Sequence, residues 1–398
     1  MKRILFVDDE CKILDGIRRM LHADRKRWDM QFALSGEDAL LALEQGPFDV
    51  VVTDMRMPVM NGATLLGHIR DRYPDTARIV LSGYADAALT ARAASVAHRF
   101  IAKPCDAYQL QSTIERVCVQ QDLLCIPAIR RIIGKVGQLP SLSRTYKNLA
   151  AAVRDPNASI ARIAGIIEQD IAMSAKVLQL TNSAFFGLAR TVASVSSAVS
   201  YLGMDAIKNL ALASAVFTVF VPGIGIPQSV CASIQKHSLR AAAVASLLPV
   251  ERSSRDTVAV AALLHDIGSL FLASAMPDTY CSIIALGSER GCPLFEVEEE
   301  LLGTSHAEIG AYLLGLWGIP NLAVEAIAHH HHPTRIPHSE FDTSTAVYIA
   351  DILVHELEAQ PRGLAGLEIE ESVRATLETL GVLPRFAEFR ALALQTGN

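Results

Sequence analysis

The chain has no surplus of basic residues, no paired-cysteine motif and no apolar run of membrane-spanning length. Each absence narrows the field. With 36 Lys and Arg against 42 Asp and Glu, the formal charge is −6, which argues against a protein that grips nucleic acid through a general basic field. Seven cysteines are scattered without a C-x-x-C pair, the pattern of reduced thiols in a cytosol. One segment, Asn209 to Gln235, carries no charge, but its apolar part covers about 12 of the roughly 20 residues that a bilayer requires. Pro222, Gly223, Gly225 and Pro227 then interrupt it, so it reads as a buried core helix. The apolar run Ile4 to Val7 is too short for a signal peptide. Internal repeats and low-complexity tracts are missing as well. The expectation is a cytoplasmic protein with neither membrane nor direct nucleic acid among its partners. Its 398 residues, 51% hydrophobic and 20% charged, suffice for large cores in two or three domains.

Residues 1–105 alternate apolar runs of strand length with amphipathic stretches of helix length. Strands are expected at Arg3–Val7, Met30–Leu34, Val50–Thr53, Ile79–Leu81 and Phe100–Ala102. Helical patterns surround Ile13–Leu21, Glu37–Leu43, Ala63–Ile69 and Ala87–Ala94, with one more after Pro104. The unbroken Val50-Val51-Val52 run marks a parallel strand buried on both faces. These elements imply an open, doubly wound α/β sheet of five parallel strands, whose binding crevice lies outside the carboxyl ends of the strands. Polar residues fall at those ends: Asp8 and Asp9, Asp54, Ser82 and Lys103. Three carboxylates at one sheet edge repel unless a cation sits among them, and hard oxygen ligands with room for water suit Mg²⁺. Lys103 and the Ser82 hydroxyl would complement an anion added at Asp54.

With Val7-Asp8-Asp9-Glu10, Asp54-Met55-Arg56-Met57-Pro58, Asn61-Gly62, Leu81-Ser82-Gly83 and Lys103-Pro104 in this order, residues 1–120 resemble the flavodoxin-like receiver domain of bacterial response regulators. The resemblance implies that Asp54 accepts a phosphoryl group from a sensor histidine kinase or other phosphodonor. It also implies that Asp8, Asp9, Asp54 and the Arg56 backbone carbonyl hold Mg²⁺, that Ser82 and Lys103 bind phosphoryl oxygens, and that Phe100 occupies the aromatic switch position.

Beyond Pro104, Leu110, Ile114, Val117, Gln121 and Leu124 recur near a heptad spacing. This is either the last helix of the sheet domain or a helix, running to Leu124 and ended by Pro127, that couples the domains or pairs two chains. Residues 121–130 are therefore read as a helical linker.

From Ile129 the periodicity is helical. Ile160, Ile163, Ala164 and Ile167 form one face, with a helix start at Asp155-Pro156. Val258–Leu272 is apolar nearly all round and is expected as one central helix containing His265 and Asp266, a polar pair that needs partners there. Ser305-His306-Ala307-Glu308 fits a capping box, which puts His306 in the first turn of a helix. His237, taken alone, reads as a surface residue. Asp351, on Val347–Leu357, reads as solvated or paired with His355 at i+4. The most conspicuous stretch is His329-His330-His331-His332, four imidazoles that solvent or a metal ion would satisfy most cheaply. Imidazoles and carboxylates from several helices are the composition of a transition-metal site that can activate water.

The order His237, His265-Asp266, His306, His330-His331, Asp351 resembles the HD superfamily of metal-dependent phosphohydrolases. Leu139-Pro140, Asp155-Pro156, Glu168-Gln169-Asp170, Asn182 to Gly187, Tyr201-Leu202-Gly203, Leu263 to Gly268 and Trp317-Gly318-Ile319-Pro320 resemble its HDOD branch. Counted from Trp317, the family's His pair falls on His330 and His331. The resemblance implies an all-α domain over 131–340, followed by a helical extension over 341–398, with Fe, Mn or another divalent metal in the site. The Gly-Tyr-Pro motif of cyclic-dinucleotide phosphodiesterases is absent: Pro333-Thr334-Arg335-Ile336-Pro337 stands there. The resemblance to HDOD domains therefore implies a regulatory or interaction module. The expectation is a response regulator that works through an unidentified output protein or a second copy of itself, with a metal phosphohydrolase as the alternative.

Overall fold

A computed structural model of the chain describes residues 1–82, 93, 95–123, 126–136, 139–141, 143–153, 155, 158–182, 191–212, 218–219, 228–337, 341–359 and 368–396. Strands β1 (Lys2–Val7), β2 (Trp28–Ala33), β3 (Val50–Asp54), β4 (Ala77–Ser82) and β5 (Arg99–Ala102) form a parallel sheet in the order β2-β1-β3-β4-β5. Strand order reverses between β1 and β3, so the crevice opens at Asp8 and Asp54. Val50, Val51 and Val52 are fully buried, as a strand covered on both faces requires. The covering helices are α1 (Cys11–Met20), α2 (Gly36–Gln45), α3 (Gly62–Arg72) and α4 (Ala107–Leu123). The helix expected around Ala87–Ala94 lies outside the described residues, apart from a buried Ala93.

Helix α4 lays Leu110, Ile114 and Val117 on the sheet. Gln121, the polar gap in that seam, is buried as well and donates its amide to the Asp49 and Asp75 carbonyls at 2.9 and 3.2 Å. Pro127 falls beyond this helix, which is described as far as Leu123. It opens the next one, α5 (Pro127–Lys135), at the first position, where its missing N–H loses no intrahelical bond.

The rest is helical. In chain order come α6 (Ser143–Ala152), α7 (Ile160–Ile167), α8 (Ile171–Asn182), α9 (Val195–Leu212), α10 (Gln228–Leu247), α11 (Arg255–Leu264) and α12 (Ile267–Ala275). There follow α13 (Pro277–Arg290), α14 (Leu294–Leu302), α15 (His306–Trp317), α16 (Asn321–Ala328), α17 (Thr343–Ala359), α18 (Glu371–Thr379) and α19 (Phe386–Ala393). Two two-residue strands, Pro140–Ser141 and Thr218–Val219, pair in parallel and were not foreseen. Helix α7 starts later than the Asp155-Pro156 signal, with Ser159 as N-cap accepting from the Arg162 amide at 3.2 Å. The uncharged segment around Pro222 falls mostly outside the described residues. Among the described helices, the one stretch long and apolar enough to cross a membrane is Arg255–Ala275, with 78% of its apolar window buried inside the fold.

That stretch is not one continuous helix. It breaks at His265-Asp266, between α11 and α12. The His265 ring takes the Ala262 carbonyl at 2.7 Å, an oxygen that a continuing helix would offer to the next backbone N–H, and such local competition loosens a turn. Gly268 is needed just beyond, because a Cβ there would lie 1.9 Å from the His306 carbonyl.

The two halves are joined along the β4–β5 side of the sheet. Arg99 of β5 donates to the Gly315 carbonyl of α15 at 2.7 Å. Gly318, the left-handed cap of α15 at φ 90°, leaves room for the same guanidinium, which a Cβ would meet at 2.3 Å. Fully buried Arg78 of β4 donates to the carbonyls of Val96 (2.6 Å), Thr76 (3.3 Å) and Gly134 (2.8 Å).

Candidate functional site

At the sheet edge, β1 and β3 deliver Asp8 and Asp54, both buried. The Lys103 ammonium reaches between them, 2.8 Å from Asp8 and 2.5 Å from Asp54. Burial pulls the Lys103 pKa down, but the hydrogen bonds to Asp54 and Asp8 outweigh it and leave it raised. The Arg56 amide donates to Asp54 at 2.6 Å and the Glu10 amide to Asp8 at 3.0 Å. Asp9 is exposed beside them. Gly62 must be glycine, because a Cβ would lie 2.1 Å from the Asp54 carbonyl. Ser82 ends β4 in register with Ala102, and its side chain lies outside the described residues. Phe100 is buried on β5. Two clustered carboxylates with an exposed third form an all-oxygen donor set, which fits a hard divalent cation.

The second site is assembled from separated helices. Helix α10 supplies His237, the α11–α12 break supplies His265 and Asp266, α15 supplies His306, the end of α16 is followed by His330 and His331, and α17 supplies Asp351. All seven residues come together, and four overlapping groups of three can each offer ligand atoms within 4.8 Å of one another. These are His306, His330 and His331; His265, Asp266 and His330; His237, His265 and Asp351; and His237, His355 and Glu358. His237 is not at the surface that its local sequence suggests, nor is Asp351 solvated: both are buried, 2.9 Å apart, and the expected i+4 pair of Asp351 with His355 forms at 3.3 Å.

The rings share one arrangement. Nδ1 of His265 meets the Ala262 carbonyl at 2.7 Å, and Nδ1 of His330 meets the Ile327 carbonyl at 2.7 Å. Nδ1 of His306 meets the Glu298 carboxylate at 2.7 Å, and Nδ1 of His237 meets Glu358 at 3.2 Å. Carbonyls only accept, so the Nδ1 of His265 and of His330 carries the proton and leaves the Nε2 lone pair facing inward, whereas His237 and His306 each also meet a carboxylate at Nε2, Asp351 at 2.9 Å and Asp266 at 3.2 Å. The Nε2 atoms of His265 and His330 are buried with no hydrogen-bond partner. Those of His306 and His331 face each other at 2.9 Å. Burial and the neighbouring rings of His265 and His306 push the His330 pKa down to about 3, which keeps it neutral. An orphaned buried acceptor costs ~1–3 kcal/mol, and fixing one ring nitrogen to free the other is how proteins orient metal-binding histidines. The residues fit a divalent transition metal.

The capping box expected at Ser305 is not formed. Glu308 instead accepts from the Thr304 hydroxyl at 2.6 Å, and the free amide of His306 in the first turn donates to Glu298 at 2.7 Å. Glu298 gave no sign in the sequence because it sits in the acidic run Glu296 to Glu300, which reads as a solvated face. His329 and His332 stand outside the ligand groups. The cluster borders a cavity of about 1120 Å³, which Tyr280, Phe295, Tyr348 and several glutamates also line.

Residues 4–115 match the response regulator receiver domain family, and residues 139–333 match the HDOD domain family. The chain is a receiver–HDOD response regulator. Asp351 and His355 of this response regulator lie beyond the stretch matched to HDOD. An uncharacterized protein of Treponema pallidum is 24% identical over 258 residues, covering 63% of this chain and 50% of that protein. Sensor kinase CckA of Brucella abortus is 35% identical over 122 residues, covering 30% of this chain and 13% of that kinase. The chain thus spans half or less of the length of these relatives. The crystal structure of the MmoQ response regulator from Methylococcus capsulatus aligns with a TM-score of 0.47 at 24% identity, covering 64% of this chain and 98% of that one.

Proposed function

We propose that this response regulator accepts a phosphoryl group on Asp54 from a sensor kinase or small phosphodonor, with Mg²⁺ at Asp8, Asp9, Asp54 and the Arg56 carbonyl. Phosphorylation in turn controls a divalent-metal phosphoester hydrolase in the helical half. One observation carries the second part: the Nε2 atoms of His265 and His330 are buried without a hydrogen-bond partner, and that of His265 stands 3.5 Å from Asp351 and 3.7 Å from Asp266. Satisfied core histidines have no reason to be arranged so. Bound divalent ions would neutralise phosphoryl oxygens and make a water a better nucleophile at neutral pH. The protein's own residues hold the His265 and His330 rings in one tautomer, keep the cluster dry on its inner side and open it to the cavity on the other. In hydrolysis, water oxygen bonds to phosphorus, the ester P–O bond breaks, and a water proton leaves with the alcohol.

The route between the sites is short. Arg99 and Phe100 are adjacent on β5, Arg99 holds α15 at Gly315, and His306 is the first residue of that helix. A shift of β5 when Asp54 and Lys103 rearrange around a phosphoryl group would therefore move a metal ligand. The same seam also favours the reading expected from the sequence, an interaction module whose exposed surface changes with phosphorylation. The two separate on turnover. Protein loaded with Mn²⁺ or Fe²⁺ should hydrolyse bis(p-nitrophenyl) phosphate, and faster after acetyl phosphate treatment. Absence of turnover in protein proven to hold metal would leave the interaction module.

A further inference from the structure

We propose that the cavity beside the histidine cluster selects a phosphoester whose organic portion is cationic, an aminoalkyl or trimethylammonioalkyl ester, over polyanionic nucleotides. This rests on the hydrolase reading and names its substrate class. Away from the histidines the charge of the lining is negative: Glu296, Glu356, Glu358, Glu368 and Glu370 border the cavity, and no lysine or arginine does so among the described residues. Glu356 is held by Arg390 at 2.8 Å, and Glu358 lies 3.2 Å from His237 and 3.7 Å from Arg240. Glu296, Glu368 and Glu370 are exposed at the rim, where they can face a ligand.

Aromatic rings complete the wall. Phe295 stacks on His331 at 4.3 Å between centroids, and the rings of Tyr280 and Tyr348, both largely buried, line the same space. Aromatic faces with carboxylates around them are how proteins hold quaternary and primary ammonium groups. The phosphoryl end has its own site in the cluster, where the orphaned His265 and His330 nitrogens mark the metal positions. A cyclic dinucleotide would bring two phosphates, one of which would sit among glutamates without a cation. Like charges so placed are strongly disfavoured.

The test uses the full-length protein loaded with Mn²⁺. Calorimetry compares phosphocholine with inorganic phosphate, and phosphocholine is expected to bind about tenfold tighter or more. In the Glu368→Gln/Glu370→Gln double variant this preference should fall at least about threefold. In turnover, p-nitrophenylphosphorylcholine should be cleaved with a higher kcat/KM than bis(p-nitrophenyl) phosphate and cyclic di-GMP. Equal affinity for the two anions overturns the proposal, as does equal or better cleavage of either comparison ester, while leaving the hydrolase reading in place. A phosphocholine preference without any turnover supports the cation site and removes the hydrolase. Phosphatidylcholine vesicles separate the sources of the headgroup: binding by soluble phosphocholine but not by vesicles assigns a free ester.

Discussion

The receiver pocket and the histidine cluster both gather carboxylates for a divalent ion, yet they satisfy them differently. In the receiver, the Lys103 ammonium already stands between Asp8 and Asp54, so the fold is electrostatically closed without a metal. In the helical half, the buried Nε2 atoms of His265 and His330 have no hydrogen-bond partner. On the proposed reading, the receiver site exchanges its charge with each phosphorylation, whereas the cluster holds a resident ion. Removing the metal should cost the second site far more than the first.

The largest effects should separate the sites completely. Asp54→Asn should abolish labelling by acetyl phosphate and leave the metal content of the helical half unchanged; residual labelling would mean that another carboxylate is the acceptor. Conversely, His265→Ala should strip metal from the cluster while acetyl phosphate labelling stays at the level of the unaltered protein, measured by phosphate-affinity gel. A smaller effect is expected one shell out. Glu298→Gln keeps the shape but weakens the grip on the His306 ring, and should lower metal affinity ~10–100-fold in a chelator competition.

The seam between the halves gives the next test. Gly318→Val forces a branched side chain into φ 90° and into the Arg99 guanidinium, and should cost ~1–3 kcal/mol in denaturant unfolding. If the seam carries the signal, this variant should also lose the response of the cluster to acetyl phosphate while keeping its labelling.

A last test concerns Lys176 on α8, which is buried with its ammonium 5.6 Å from the Trp317 ring centre. Burial lowers its pKa from 10.5 to about 7. Since the folded value lies below the unfolded one, the unfolded chain binds more protons between these two pH values, so stability rises with pH across that window and is flat below it. Lys176→Met should remove this slope and stabilise the protein at pH 7 by a few kcal/mol at most, on the order of the shift itself. A thermal melt series from pH 6 to 10 on both proteins measures the difference.

How much of each site could be read beforehand follows from how it is built. The receiver's polar residues fall at strand ends, and a parallel sheet with one strand-order reversal brings strand ends together by topology alone, so Asp8, Asp54 and Lys103 were legible. The cluster has no such rule. His237 and Asp351 are 114 positions apart and meet only because α10 packs on α17. Nothing local in Gln235 to Ser238 says which side of the helix is buried, so the lone histidine read as surface. The break at His265-Asp266 was hidden because the flanking sequence is apolar on every side and gives no helix stop. Glu298 was invisible because its partner, the His306 amide, belongs to another helix. Pro127 was legible as a boundary, since proline is disfavoured inside a helix and accepted in a first turn, where it stands here.

The most direct measurement is the metal content of the full-length protein, purified without oxygen after supply of Mn²⁺ or Fe²⁺ and dialysed against weak chelator. Elemental analysis should find about one to two divalent ions per chain, and essentially none in the His265→Ala/His330→Ala double variant with its receiver intact. Metal-free protein, or metal retained equally by the double variant, would contradict the account.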